Sequence, residues 1–208
     1  MSKGRLIVIS GFSGSGKGTV VKKLVEKYDY SLSISATTRA PREGEVDGKD
    51  YYFKSVEDFK SLIDYNGLIE WAQYVENFYG TPRKFVEDEI AAGKNVILEI
   101  EVQGAMSIKS QYPDALLIFI STKDVETLHE RLVNRGTEKE EVIKKRMQRA
   151  AEEAESMGNY EFIVINDELD KCVDDIHAIV VSESCKKENR TEFMLSIKEQ
   201  LESQASLK

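Results

Sequence analysis

"GFSGSGKGTV", residues 11–20, stands between an apolar run, "RLIVIS" (5–10), and a helical pattern, "GTVVKKLVEKY" (18–28). Gly11, Gly16 and Lys17 match the phosphate-loop spacing G-x-x-x-x-G-K. Glycines in such a turn let successive backbone N–H groups face inward and form a concave anion nest. The following helix presents its N-terminal donors to the same anion. Lys17 adds a movable point charge suited to β and γ phosphates. A glycine-rich turn alone is often only a flexible connection. Here the context that the motif requires is present: a strand-like run before it, and after it Val20, Leu24 and Tyr28 spaced four apart. A strand–loop–helix unit of this kind opens an α/β fold.

One position departs from the common pattern. After Lys17 a Ser or Thr usually supplies a hydroxyl to Mg²⁺, but this chain has Gly18, and its hydroxyl comes one residue later at Thr19. The order "GKGT" is similar to the loops of nucleoside monophosphate kinases. That likeness implies that Thr19 touches phosphate, while Mg²⁺ is bound with ATP mainly through phosphate oxygens and water. Mg²⁺ readily keeps several waters, so the chemistry does not demand a protein hydroxyl.

Outward from the loop, short apolar runs alternate with longer helical patterns. "NVILEIE" (95–101), "ALLIFIS" (115–121) and "FIVIN" (162–166) read with "RLIVIS" as buried strands of a mostly parallel central sheet, covered by helices in a three-layer arrangement. "VEDFKSLIDYN" (56–66) and "TPRKFVEDEIAAG" (81–93) read as helices, the second with Thr81 as its cap and Pro82 in its first turn. Residues 138–157 are helical but nearly all polar around the circumference; they read as a projecting mobile lid or as a well-solvated surface helix. A last helix spans about 191–203. Residues 35–81 carry Thr, Tyr and turn residues in place of long apolar runs, and read as a small inserted, partly β sub-domain.

The 208 residues suit one sizeable domain, and a charged share of 32% with a hydrophobic share of 41% suits a globular protein. A formal charge of −8 excludes the broad positive potential of a nucleic-acid or membrane-surface binder, though not a small basic pocket. Cys172 and Cys185 have neither metal-ligand spacing nor the look of a disulfide framework, and Cys172 falls in a helical pattern as a core thiol. No run reaches membrane-spanning length and none reads as a signal peptide, so the expectation is a cytoplasmic protein.

A second anion site is written into "TTRAPR". Arg39 and Arg42 stand three apart in a proline-containing loop, with Tyr51 beyond a glycine turn. Two guanidinium forks and a phenol suit a phosphate monoester; the alternative is a solvated loop. Glu70, between Ile69 and Trp71, is an acceptor-only carboxylate when ionised. It can receive N1–H and the 2-amino group of guanine, with Ser35 and Thr81 on the O6/N7 edge and Tyr79 reaching the phosphate. In "LEIEVQG", Glu99 and Glu101 are two apart on one strand face, at the sheet edge where α/β folds bind ligands. Arg131, Arg135, Arg146 and Arg149 lie on or beside the polar helix, where they can swing over a transferred phosphate.

Taken together, the chain resembles the guanylate kinases from about residue 4 to residue 185, through "GFSGSGKGT", "SATTRAPREGEVDGKDYYF", "IEWAQYVENFYGT", "LEIEVQG", "RLVNRGTE…KKRMQRA" and "IVINDELD" in family order. The resemblance implies ATP-dependent conversion of GMP, and of dGMP, to GDP or its deoxy counterpart in purine nucleotide metabolism. It implies that Gly11, Phe12, Ser13, Gly14, Ser15, Gly16, Lys17, Gly18, Thr19 and Asn166 serve ATP, Asn166 near the adenine. Ser35, Arg39, Arg42, Tyr51, Glu70, Tyr79 and Thr81 would serve GMP, with Glu101 near its guanine or ribose. Lys17, Arg39, Arg135 and Arg146 would act on the transferred phosphoryl group. Phe12 stands where many relatives have proline, a change expected to leave the loop intact. The implied organisation is a core (4–34, 82–125, 158–185), a GMP-binding insertion (35–81), a lid (about 126–157) and a C-terminal helix and tail (186–208) to which no function is assigned. It leaves room for a homo-oligomer. The competing readings are a catalytically inactive interaction module on the same fold, and a kinase for another phosphorylated nucleotide or sugar.

Overall fold

The computed structural model describes residues 4–74, 76–134 and 140–206. The chain begins with β1 (Leu6–Gly11), the glycine loop and α1 (Lys17–Lys27), then β2 (Ser31–Leu32). The two-residue strands β3 (Ala36–Thr37) and β4 (Tyr52–Phe53) follow, then α2 (Val56–Asp64) and the longer β5 (Leu68–Tyr74) and β6 (Asn77–Pro82). Next come α3 (Arg83–Ala91), β7 (Val96–Glu99), α4 (Val102–Gln111), β8 (Leu116–Ser121) and α5 (Val125–Val133). Then follow α6 (Glu140–Glu155), β9 (Phe162–Ile165), α7 (Leu169–Ser184) and α8 (Thr191–Ala205).

The main sheet has the order β2-β7-β1-β8-β9 and is parallel throughout. Its central strands run apolar without a break over Leu6–Ile9, Val96–Leu98 and Leu116–Ile120 because both faces are covered. Val8, Leu98, Leu117 and Phe119 point to one face, against Val86 and Ile90 of α3 and Ala105 and Ile108 of α4. Ile7, Ile9, Ile97, Ile118 and Ile120 point to the other, against Val20 and Leu24 of α1 and Cys172, Val173 and Ile176 of α7. Each such side chain, fully buried, contributes about 1.5–3 kcal/mol relative to an exposed one. The strand order reverses at β1, so the loop after it opens onto the crevice where parallel sheets bind ligands.

Residues 36–82 build a second sheet, order β4-β3-β6-β5, with antiparallel β3–β6 and β5–β6 pairs. Its own small core joins Ala36, Phe59 and Leu68, with Leu62, Ile63 and Phe78 against them. Ser55 caps α2 by accepting from the Asp58 N–H at 3.0 Å.

Four sequence expectations need correcting. Thr81 does not cap α3: it lies within β6, and the N-cap position is held by Pro82. Its hydroxyl is spent elsewhere, on Glu70. β7 ends at Glu99, so Glu101 is the N-cap residue of α4 and does not lie on a strand beside Glu99. β9 is an edge strand with only Val164 buried, while Ile163 and Ile165 are exposed, since α7 covers one face alone. Finally, α6 is not polar all round. Ile143, Met147 and Ala150, at three- and four-residue spacing, pack on Leu128 and Leu132 of α5 and on Phe12.

Candidate active site

Most of the residues singled out above line a cavity of about 340 Å³ beyond the C-terminal ends of β1 and β7, facing the small sheet. At one end is the glycine loop. Gly16 is the N-cap of α1 at φ 89°, a left-handed conformation, and a β-carbon there would stand 2.6 Å from Asn166 Nδ2. The loop is pinned from behind. Asn166 Nδ2 donates to the Ser15 carbonyl at 2.7 Å, and Arg131 donates to the carbonyls of Ser15 (3.1 Å) and Asn166 (2.8 Å). Ser15 is fully buried and Asn166 nearly so; neither they nor Gly11 line the cavity, and the Asn166 amide holds the loop from behind. Arg131 likewise braces the loop and does not reach over the cavity. Phe12 packs edge-on against Phe119 at 4.9 Å, an anchor that proline could not provide. Lys17 Nζ folds back to donate to the carbonyls of Gly11 (2.7 Å) and Phe12 (3.2 Å).

Gly18 is not required by space. A β-carbon there would lie 3.6 and 3.8 Å from the two Glu99 oxygens, an ordinary contact distance. A side chain at 18 would point at Glu99; its omission leaves that carboxylate facing the cavity beside the loop.

At the other end stand the two arginines. Arg39 donates through one nitrogen to both Glu45 oxygens (2.8 and 3.0 Å) and lies over Tyr51 at 5.4 Å. The Arg42 backbone N–H donates to the same Glu45 at 2.7 Å. Hydrogen bonding from Arg39 holds the Glu45 carboxyl below its ordinary range. The Arg39 guanidinium and the Arg42 backbone N–H thus meet on one carboxylate. Burial pushes Tyr51 up to about 12. Ser35, Tyr51 and Tyr79 line the cavity with the arginines.

Glu70 projects from β5 and is 6% exposed. Thr81 Oγ1 donates to Glu70 Oε1 at 2.7 Å, and burial, opposed by that bond, raises the carboxyl to about 7. Thr81 is itself fully buried and lies behind Glu70, not on the cavity wall. Toward the loop, burial raises Glu99, and burial with the nearby Glu101 raises Glu153 to about 7. Arg146 donates to Ser13 Oγ at 3.2 Å, and Arg149 Nε lies 3.3 Å from Glu153 Oε1. Both arginines come from α6 and line the cavity. Arg135 lies outside the described residues.

Comparison with known proteins decides the family. The sequence profile described as guanylate kinase matches residues 3–183. The chain belongs to the guanylate kinase family. It is 52% identical over 192 residues to the guanylate kinase of Halalkalibacterium halodurans, covering 91% of this chain and 94% of that one. With the guanylate kinase of Caldanaerobacter subterraneus subsp. tengcongensis it shares 47% over 199 residues, 95% and 97% of the two. The crystal structure of guanylate kinase from Anaplasma phagocytophilum superimposes with a TM-score of 0.76 at 34% identity, covering 89% of this chain and 88% of that one. This guanylate kinase family member also carries cavity residues that the sequence did not single out, among them Ala72, Gln73, Gln103, Gly104 and Glu153. A glycine inside the helical run "VQGAMSIKSQ" was the available signal for one of them. Glu45 had none, since it acts behind Arg39.

No helix among the described residues is long and apolar enough to cross a membrane.

Proposed function

We propose a division of labour along the cavity for the family reaction, in which this nucleoside monophosphate kinase transfers the γ-phosphoryl group of ATP to GMP, giving ADP and GDP. The glycine loop and Lys17 take the ATP phosphates; Arg39, Arg42, Tyr51 and Tyr79 take the GMP phosphate; Glu70, backed by Thr81, reads guanine, with Ser35 and Glu101 beside it. Arg146 and Arg135 meet the charge of the transferred group as α6 and the small sheet close as lids. The GMP phosphate oxygen attacks in line, with no covalent enzyme intermediate, and catalysis is positioning plus charge neutralisation. The single observation that carries this reading is one continuous cavity with the loop lysine at one end and the arginine pair and buried Glu70 at the other.

The hard carboxylate oxygens of Glu99 and Glu101 beside the loop fit Mg²⁺ held through its waters. Bound with ATP, the ion supplies charge neutralisation at the phosphate oxygens. Free thiols at Cys172 and Cys185 fit a cytoplasmic protein. The test is a coupled assay of ATP and Mg²⁺ with GMP, dGMP, AMP, CMP and UMP. Preference for the guanine nucleotides supports the reading; equal use of AMP overturns it.

The arginines are expected to separate kinetically. Arg39→Ala and Arg42→Ala each raise the GMP KM by about 10- to 100-fold through lost charge-assisted bonds. Arg146→Ala lowers kcat by on the order of 10²-fold with a smaller change in KM; the same is expected of Arg135→Ala. Loss of ATP affinity alone in all of them contradicts this assignment.

The raised Glu70 carboxyl sets a pH dependence. Guanine donates to the ionised form, and protonation to about 7 in the empty site competes with it. The GMP KM is therefore expected to rise as pH falls below 7, up to about tenfold per unit, and to level off above it. The phosphate of GMP titrates nearby, so the part of the profile that disappears in Glu70→Gln is the part that belongs to Glu70. An identical profile in that variant contradicts the expectation.

A further inference from the structure

Gly104 lies inside α4, outside the left-handed region, so its own backbone does not call for glycine. Helix propensity favours alanine at such a position. The neighbour accounts for it. A β-carbon on Gly104 would stand 2.5 Å from Glu70 Oε2 and 3.2 Å from Glu70 Cδ, with Ile100 Cδ1 at 3.3 Å. The carboxylate has little room to yield: it is 6% exposed, its Oε1 holds the Thr81 hydroxyl at 2.7 Å, and it stems from β5, against which α4 packs. Gly104 and Glu70 line the same cavity.

We infer that Gly104 is a specificity-determining position of the acceptor site: the side chain it lacks is the seat of the Glu70 carboxylate. This rests on Glu70 as the reader of the base. An added methyl has two ways out. It pushes Oε2 away and so turns Oε1 off its bond with Thr81, or it spreads α4 from β5. Either shifts the carboxylate by on the order of 1 Å, and a displacement of that size costs on the order of 10²-fold in rate.

The test is a cycle of Glu70→Ala, Gly104→Ala and the double variant. It reads kcat and KM for GMP and AMP, with melting temperatures taken without nucleotide. Gly104→Ala alone is expected to lower kcat/KM for GMP by on the order of 10²-fold, mostly through KM, while sparing the weak AMP reaction. In the Glu70→Ala background the methyl fills emptied space, and the same change costs less than about threefold. Equal losses in both backgrounds overturn the inference, because Gly104 then acts on packing and not through Glu70. So does an unimpaired Gly104→Ala when Glu70→Ala is impaired, which leaves the reading of Glu70 standing. If Gly104→Ala alone does not fold, a folded double variant supports the seat and an unfolded one overturns it. If Glu70→Ala keeps the wild-type GMP:AMP ratio, the reading of Glu70 falls and takes the seat with it.

Discussion

Lys17→Met is expected to lose phosphoryl transfer almost entirely, with kcat down by on the order of 10³-fold or more, while GMP still binds. Methionine keeps the length and most of the volume of lysine, so the loop and α1 have no steric reason to move. What goes is a cation and its donors. In the empty site Lys17 Nζ spends those donors on the Gly11 and Phe12 carbonyls, at 2.7 and 3.2 Å. The β and γ phosphates of ATP carry more charge than a carbonyl dipole, so the ammonium exchanges one set of partners for the other. GMP is expected at the far end of the cavity, around Arg39, Arg42 and Glu70, which line it. Turnover in a coupled assay and GMP affinity by calorimetry check the two halves separately. Full turnover in the variant contradicts a phosphate-loop role; lost GMP binding contradicts the separation of the two ends.

The fold was legible where both sides of an element are covered. Ile7, Val8 and Ile9 alternate between the two faces and are all buried, which writes a continuous apolar run. The same pattern misread "FIVIN", because a short run does not reveal that its strand lies at an edge. The small sheet was legible only as a region, since two of its four strands, β3 and β4, have two residues each and leave no periodicity. In α6 the apolar seam is three side chains wide among many charges, and its partner is α5, so the sequence alone overstated its polarity.

The site divides in a similar way. Lys17, Arg39, Arg42 and Glu70, singled out for the residue types that phosphate and guanine chemistry calls for, all line the cavity. Asn166 and Thr81, expected at the ligands, also hold parts of the protein itself: one pins Ser15 and the other donates to Glu70. Gly104 and Glu153 were missed because their contacts join elements distant in the chain. Such contacts depend on how α4 meets β5 and how α6 meets the strand ends.

Glu70→Gln is expected to lose most GMP activity and to narrow the preference over AMP. Guanine offers two donors, N1–H and the 2-amino group, to a carboxylate that accepts only. Adenine presents an unprotonated N1 and no 2-amino group, so acceptor faces acceptor. A site built on such bonds rejects the analogue lacking them by about 10⁴-fold, partly through repulsion. Glutamine fills the same space, but it removes the charge and turns one acceptor into a donor. Thr81 Oγ1, now 2.7 Å from Glu70 Oε1, can still donate to the remaining amide oxygen, so the fold is not the casualty. The measurement is kcat/KM for GMP and for AMP in the wild-type and Glu70→Gln proteins. A GMP:AMP ratio of about 10⁴ or more is expected in the wild type, collapsing in the variant; the same ratio in both proteins would contradict Glu70 as the reader of guanine.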